Sequence, residues 1–454
     1  MSPGDESASA PAGPRVLVVT DSDSYVKYGA SLGSRLPDHW PVRLVVTRST
    51  VLPSERQRRD AVDGTRFEGL DLPVVGPSEL QAVLRDWRPD VVLAAARGYT
   101  VQALVSLVPN TPDRPVLVSG LAGIAIPVLP FGLGFRRSMD VFVVHSHREL
   151  REFARASARL GVPHGYELAT LPFLERAAEV DVDAGPRDRI VFAAQAQVPR
   201  QRRDRDRLLD RLVDAARAHP DLLVVVKVRG HDGEPQTHHE AVSFPQLLAE
   251  RDDVPANLVV ESGPMRAQLR RAVGFVTVSS TALLEAVAAG VPSLALDDFG
   301  VGAEQINLVL EGSGLLGPSD DLVAGHFHHV DPAWAADNYL HDPADDTWVG
   351  RVEELLEQRA TIGLLPYRTV PVGIARRVRH VLYRTFAFAP ASSGPFDLPE
   401  RMFIGVARRV SRSRWYVTRL VRRAADDEAP GREGTEPGAG EPAGAGGRQG
   451  RPRP

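Results

Sequence analysis

Three hydroxyl-bearing residues in a row, Ser279, Ser280 and Thr281, stand between the apolar run Phe275–Val278 and an Ala/Leu-rich stretch that closes at Gly290. The pattern reads as a buried strand, a tight turn, a short helix and, from Val291 onward, a second apolar strand. Such a turn aims backbone N–H groups and hydroxyls at whatever lies over the sheet edge, and a helix start there favours a phosphate. Glu285, about one helical turn further on, is placed to accept hydrogen bonds from a ribose. Helix capping alone accounts for one hydroxyl. Three in succession, with Glu285 and the stop Gly290-Val291-Pro292, point to a nucleotide-binding corner.

A second group leaves the end of the apolar run Leu222–Val226. Lys227 and Arg229 alternate with valines, so they share one face, and a loop rich in histidine and carboxylates follows them. Two cations there can neutralise a diphosphate leaving group. A solvated loop with surface ion pairs is the plainer alternative, but a lysine ending so apolar a run calls for an anionic partner. Gln195 and Arg200, just past the apolar run Ile190–Ala194, are further donor-side candidates.

The first part of the chain offers the groups that activate an acceptor. Asp21 and Asp23 follow the apolar run Arg15–Thr20, and either can serve as general base on a hydroxyl; Asp21 equally suits a helix N-cap. His145 and Glu149, after Val141–Val144, are rival bases. Lys27, the turn Arg97-Gly98-Tyr99 and the loop from Gly120 to Pro130 fall on the acceptor side of the same cleft. Two other patterns carry no weight. Gly312 to Gly317 spells a dinucleotide fingerprint but follows a helix-like run, Glu304 to Glu311, instead of a strand. His238-His239 and the group His326, His328 and His329 lack metal-site spacing. No metal and no cofactor are expected.

These residues need two sheets to hold them. Apolar strands alternate with helical stretches from Arg15 to Val144, and the pattern restarts at Ile190, which is the signature of parallel sheets covered on both faces. At 454 residues, 43% hydrophobic and 25% charged, the chain is long enough for two cores. Cysteine is absent, which removes disulfides and thiolate chemistry and suits a reducing compartment. The net charge of −4 gives no reason to expect nucleic acid. The uncharged segment Pro115–Phe135 is long enough to span a bilayer, but its prolines and glycines suit a strand and an irregular loop better.

The expected organisation is a disordered start (1–14), a Rossmann-like acceptor domain (15–183), a Rossmann-like nucleotide-sugar domain (184–342), a basic helical extension (343–423) and a disordered tail (424–454). Between Pro366 and Arg423 thirteen arginines face two acids. A basic amphipathic helix on an anionic membrane fits that run better than packing across the domains or contact with nucleic acid. With no signal-peptide pattern at the start, the expectation is a cytoplasmic protein, peripheral at the inner face of the membrane.

Two Rossmann-like halves with Glu285, Gly290 and Pro292 in the second resemble the GT-B glycosyltransferase fold. The sequence is similar more narrowly to an uncharacterised family of glycosyltransferases, through Asp21 to Lys27, Gln195 to Pro199, Lys227 to Arg229, Gly233 to His238 and Ser279 to Pro292. The likeness spans roughly residues 15 to 365. It implies sugar transfer from a nucleotide donor to a cell-envelope glycan or lipid-linked acceptor, without a bound metal. On this likeness Ser279, Ser280 and Thr281 face donor phosphates, Glu285 the ribose, and Lys227 and Arg229 the leaving group. Many retaining GT-B enzymes carry a glutamate where this chain has Thr277, which favours inversion. A nucleotide-sugar 2-epimerase of the same fold and a non-catalytic nucleotide-binding protein are the alternatives.

Overall fold

The structure, a computed structural model, describes residues 13–368 apart from residues 50, 163, 172, 179, 181–184, 196–197 and 229–241. Arg229, the segment Gly233 to His238, most of the expected disordered start, the Arg-rich run beyond Arg368 and the tail lie outside the described residues.

The first lobe is a seven-stranded, all-parallel sheet. Its strands are β1 (Val16–Thr20), β2 (Val42–Thr47), β3 (Val74–Val75), β4 (Val91–Ala95), β5 (Val116–Gly120), β6 (Val141–Val144) and β7 (Tyr166–Leu168), in the order β3-β2-β1-β4-β5-β6-β7. Both faces are covered, and the side-chain period of two divides each strand between them. Val16 and Val18 join one core cluster, Leu17 and Val19 the other. This is why these strands read as continuous apolar runs.

The second lobe repeats the plan with six parallel strands: β8 (Arg189–Ala193), β9 (Leu223–Lys227), β10 (Leu258–Glu261), β11 (Ala272–Thr277), β12 (Ser293–Leu296) and β13 (Leu316–Gly317), in the order β10-β9-β8-β11-β12-β13. Strand order therefore reverses between β1 and β4 in one lobe and between β8 and β11 in the other. Crevices open at the C-terminal ends of such strands, and ligands of open α/β sheets bind there. The hydroxyl turn follows β11, and Asp21 follows β1. The uncharged segment Pro115–Phe135 supplies β5, a loop and the short helix Pro130–Phe135, and no helix among the described residues is long and apolar enough to cross a membrane.

One element departs from the expected order. The helix Trp348–Thr361, read from sequence as the start of an extension, lies in the core of the first lobe. Its apolar positions Trp348, Val352 and Leu355 fall on one face at helical spacing and are buried in the same cluster as Val16, Val116 and Val141. The segment before it is strapped to the first lobe. Thr347 exchanges two hydrogen bonds with Leu168, and the Asp346 carboxylate accepts from Thr170 N (2.6 Å) and Thr170 Oγ1 (2.9 Å) while pairing with Arg35 (3.3 Å).

Trp348 is 2% exposed, so truncating it leaves a large void against the first sheet. Trp348→Ala is expected to cost about 3–5 kcal/mol. The change Arg351→Ala, at a half-exposed position on the same helix, is expected to stay within about 0.5 kcal/mol. Urea unfolding of both variants checks the pair, and equal small effects would remove this helix from the first core.

Candidate active site

At the second reversal point the turn after β11 is held by its neighbours. Gln195, at the end of β8, grips Ser279 with both ends of its amide: Oε1 accepts from Ser279 N (2.9 Å) and Nε2 donates to Ser279 Oγ (3.2 Å). Thr277 Oγ1 accepts from Ser280 N (3.1 Å) and donates to the Ala193 carbonyl (3.1 Å). Ser280 Oγ accepts from Ala282 N (3.2 Å). Sequence reasoning gave Ser279, Ser280 and Gln195 to a ligand. The structure gives three of the turn's N–H groups internal partners and leaves both serines 6% exposed. Thr277, noted in the sequence only for what it is not, is the side chain that pins the turn to β8.

The outward part of the corner faces the first lobe. Thr281 lies against the loop after β5: a Cβ placed on Gly123 would stand 3.4 Å from Thr281 Oγ1. Gly123 has φ of +101°, a conformation that glycine adopts without strain. One turn along the helix Ala282–Ala288, Glu285 Oε1 meets Lys27 Nζ of the first lobe at 3.6 Å, and Lys27 also sits 4.8 Å from the centre of the Phe173 ring. The pair is partly exposed, at 39% and 17%, so its net worth is modest. Its position matters more, because it joins the two reversal-point edges. Lys227 is 7% exposed at the end of β9, and its Nζ donates to the Val228 carbonyl at 2.6 Å.

The first-lobe candidates separate into buried and open ones. Asp21 has no exposed surface, and its Oδ2 accepts from Arg97 N (3.1 Å), Arg97 Nε (2.9 Å) and Thr100 Oγ1 (2.7 Å). It caps the helix Gly98–Val105 from the neighbouring strand end, a structural part that a solvent-facing general base does not have. His145 is 1% exposed. Its Nδ1 lies 2.7 Å from the Ala169 carbonyl, which can only accept, so Nδ1 carries the proton and Nε2 accepts from Tyr28 Oη at 3.1 Å. Burial drives its pKa down to about 4, and the ring is neutral and enclosed. Glu149 is likewise buried, accepting from Ala125 N, His145 N and Tyr339 Oη, with burial raising its pKa. All three side chains are enclosed by protein and hydrogen-bonded within it.

Asp23 is different. It is exposed in the first turn of the helix Asp23–Ser34, four residues before Lys27 and hence on the same helix face. Lys27 reaches across to Glu285, so Asp23 looks into the same gap. Gly120 has a packing reason the sequence did not show: a Cβ there would come within 2.1 Å of Tyr28 Oη. Sequence reasoning also missed Arg136, which is 1% exposed at the foot of this edge. It follows an uncharged stretch and adjoins Arg137, and nothing in that pattern marks it as buried.

Two doubly wound parallel sheets whose strand ends face each other define the GT-B architecture. The chain belongs to the family described as "Putative glycosyltransferase (DUF6716)", which it matches over residues 16–355. No curated protein sequence matches it. Among solved structures it is similar to a UDP-N-acetylglucosamine 2-epimerase, at 14% identity and TM-score 0.50, covering 78% of this chain and 99% of that one. It is similar also to S. aureus MnaA in complex with UDP (12%, TM-score 0.47, 80% and 100% covered). The glycosyltransferase SnogD from Streptomyces nogalater is a further likeness (18%, TM-score 0.37, 77% and 98% covered). At 14% identity the first of these likenesses shows the fold alone.

Two histidines, His145 enclosed and His164 half-buried, make stability depend on pH. His145 and His164, both held at a pKa of about 4 chiefly by burial, are neutral when folded and titrate near 6.5 when unfolded. Their contribution is complete above pH 6.5 and is lost as pH falls toward 4. The urea midpoint is expected to drop across that window, and the drop is expected to shrink in His145→Gln. A midpoint flat from pH 6.5 to 4 would contradict the buried neutral rings.

Proposed function

We propose that this chain transfers a sugar from a nucleotide-activated donor, held by the second lobe, to a hydroxyl of an acceptor held by the first. The observation that carries the reading is the meeting of Thr281 and Glu285 with Gly123 and Lys27, which sets the hydroxyl corner of one reversal point against the working edge of the other. Donor phosphates lie over Ser280 and Thr281, and the ribose takes the place of Lys27 on Glu285. Lys227 and Arg229 meet the charge of the departing diphosphate.

In an inverting transfer the acceptor oxygen attacks the anomeric carbon, the bond to the diphosphate oxygen breaks, and the acceptor proton passes to Asp23. Released from Glu285 by the ribose, Lys27 is free to steady the acceptor beside Asp23. Thr277, buried beneath the turn, supplies no second carboxylate for a retaining route. This chemistry needs no bound metal, since lysine, arginine and hydroxyl donors take the leaving charge.

The acceptor in this reading is a cell-envelope glycan or lipid-linked saccharide reached at an anionic membrane surface. The chain passes into its Arg-rich run beside the helix Pro130–Phe135, where Ser138 Oγ donates to the Arg368 carbonyl at 2.6 Å. Leu129 and Phe131, at 47% and 59% exposed, lie on the same stretch. Apolar side chains next to a basic run suit a bilayer face.

Thermal-shift measurement with UDP, GDP, CDP, CMP and dTDP tests the donor site, because a ligand at a hundred times its dissociation constant adds about 2.7 kcal/mol. One nucleotide is expected to stabilise the protein, and Lys227→Ala is expected to abolish that shift while leaving the unliganded melt in place. Flat curves for all five would sink the donor site.

Donor turnover is expected to fall at least 100-fold in Asp23→Asn, with nucleotide binding kept and with no sensitivity to EDTA. Conversion of UDP-N-acetylglucosamine to its 2-epimer, with no acceptor added, would replace transfer by the epimerase reading. Liposome flotation of the full chain against a version ending at residue 365 tests the membrane contact, and equal flotation would discard it.

A further inference from the structure

Arg97 and Asp21 form a half-closed fork. Arg97 Nε pairs with Asp21 Oδ2 at 2.9 Å, yet Arg97 Nη2 and Asp21 Oδ1, the two atoms a complete bidentate pair would join, are both buried and without a hydrogen-bond partner among the described residues. Beside them Ser22 Oγ has no exposed surface and no partner either. Three orphaned polar atoms at two adjacent strand ends are costly in a low-dielectric setting unless something meets them.

A second cation stands behind the fork. The Arg136 guanidinium, 1% exposed, is held only by neutral oxygens: Ser119 Oγ (3.1 Å) and the Gly120 carbonyl (2.9 Å) on Nε, Tyr25 Oη (3.1 Å) and the Ala96 carbonyl (2.8 Å) on Nη2. Among the described residues it has no ion pair with an acid. Arg136 binds the carbonyl of Ala96, and the next residue is Arg97, so two guanidiniums flank the end of β4. The carboxylate of Asp21 pairs with the first of them. Buried positive charge of this kind is matched by an anion more readily than by water.

We infer that the crevice between the ends of β1 and β4 is an oxyanion subsite for the acceptor. It takes a phosphate or carboxylate on Arg97 Nη2 and Ser22 Oγ, with Arg136 supplying field from beneath. Asp21 Oδ1, an acceptor only, requires a donor next to that anion, which a sugar hydroxyl provides. The substrate class is therefore an acidic saccharide, either a sugar phosphate or a uronic acid. This deepens the proposed transfer and rests on it for the word acceptor, while the site itself stands on the geometry. The Arg97 side chain as a whole stays 27% exposed, while its Nη2 is enclosed.

Direct binding tests the subsite without turnover. Glucose, glucose 6-phosphate and glucuronate are titrated into the full chain at fixed ionic strength, with the guanidinium Nε–H signal of Arg97 followed by NMR. At least one charged sugar is expected to bind tenfold or more tighter than glucose and to shift the Arg97 signal. Which one does so separates a phosphate from a carboxylate. The preference is expected to disappear in Arg97→Gln and to persist in Lys227→Ala.

Equal binding of all three sugars, or a preference lost in Lys227→Ala and kept in Arg97→Gln, would overturn the subsite. Because Arg97→Gln strips Asp21 of its cation and can unfold the lobe, the wild-type NMR titration decides if that variant does not fold. Nucleotide stabilisation measured on the same samples keeps the two ideas apart. A nucleotide shift without a charged-sugar preference sinks the subsite alone, and the reverse sinks the donor reading alone.

Discussion

The carboxylate of Asp21, with no surface exposed, takes three donors at the end of β1 and so fixes the start of the helix that follows β4. A buried charge is tolerated only while its partners stay in place, and this binds the edges of two adjacent strands into one rigid floor. Ser49 Oγ, donating to the Asp21 carbonyl at 3.0 Å, brings in the end of β2. Arg136 does the same on the far side, reaching Ala96, Ser119 and Gly120 at once. The first lobe therefore presents its working edge on a frame of buried polar contacts, and what is left to meet a substrate is the set of atoms that those contacts leave unpaired.

The second lobe solves the matching problem with uncharged groups. Gln195 and Thr277 hold the hydroxyl turn from β8 and β11, so its shape is set before any ligand arrives. Preorganised donors lose nothing to rearrangement when charge appears near them. What remains adjustable is the outer face, where Thr281 and Glu285 meet Gly123 and Lys27 of the first lobe.

Much of this was legible in the sequence. The apolar runs that became β1, β4, β5 and β6, and later β8, β9, β11 and β12, are largely buried on both faces, and that leaves a clear trace in the residues. The edge strands β3, β7 and β13 are two or three residues long and left none. The hydroxyl corner and Lys27 were visible because their residue types are unusual where they stand. Their partners were not, since Glu285 to Lys27 and Gln195 to Ser279 join positions far apart in the chain. For Asp21 and His145 the sequence shows a titratable group after a strand but not that protein closes over it. The run Glu304 to Glu311 read as helix yet forms only the short turn Leu308–Leu310, with Ile306 at a left-handed φ of 58°.

The return of Trp348–Thr361 to the first sheet has a consequence for how the chain matures on the ribosome. Residues that close the first core are separated from it by the whole second lobe, so the earlier strands wait, with part of one apolar face uncovered, until the later ones have been made. The second lobe is contiguous and can be finished as it emerges. The lobe that begins first is thus completed last, and the gap between the two takes its final form only when the closing helix docks.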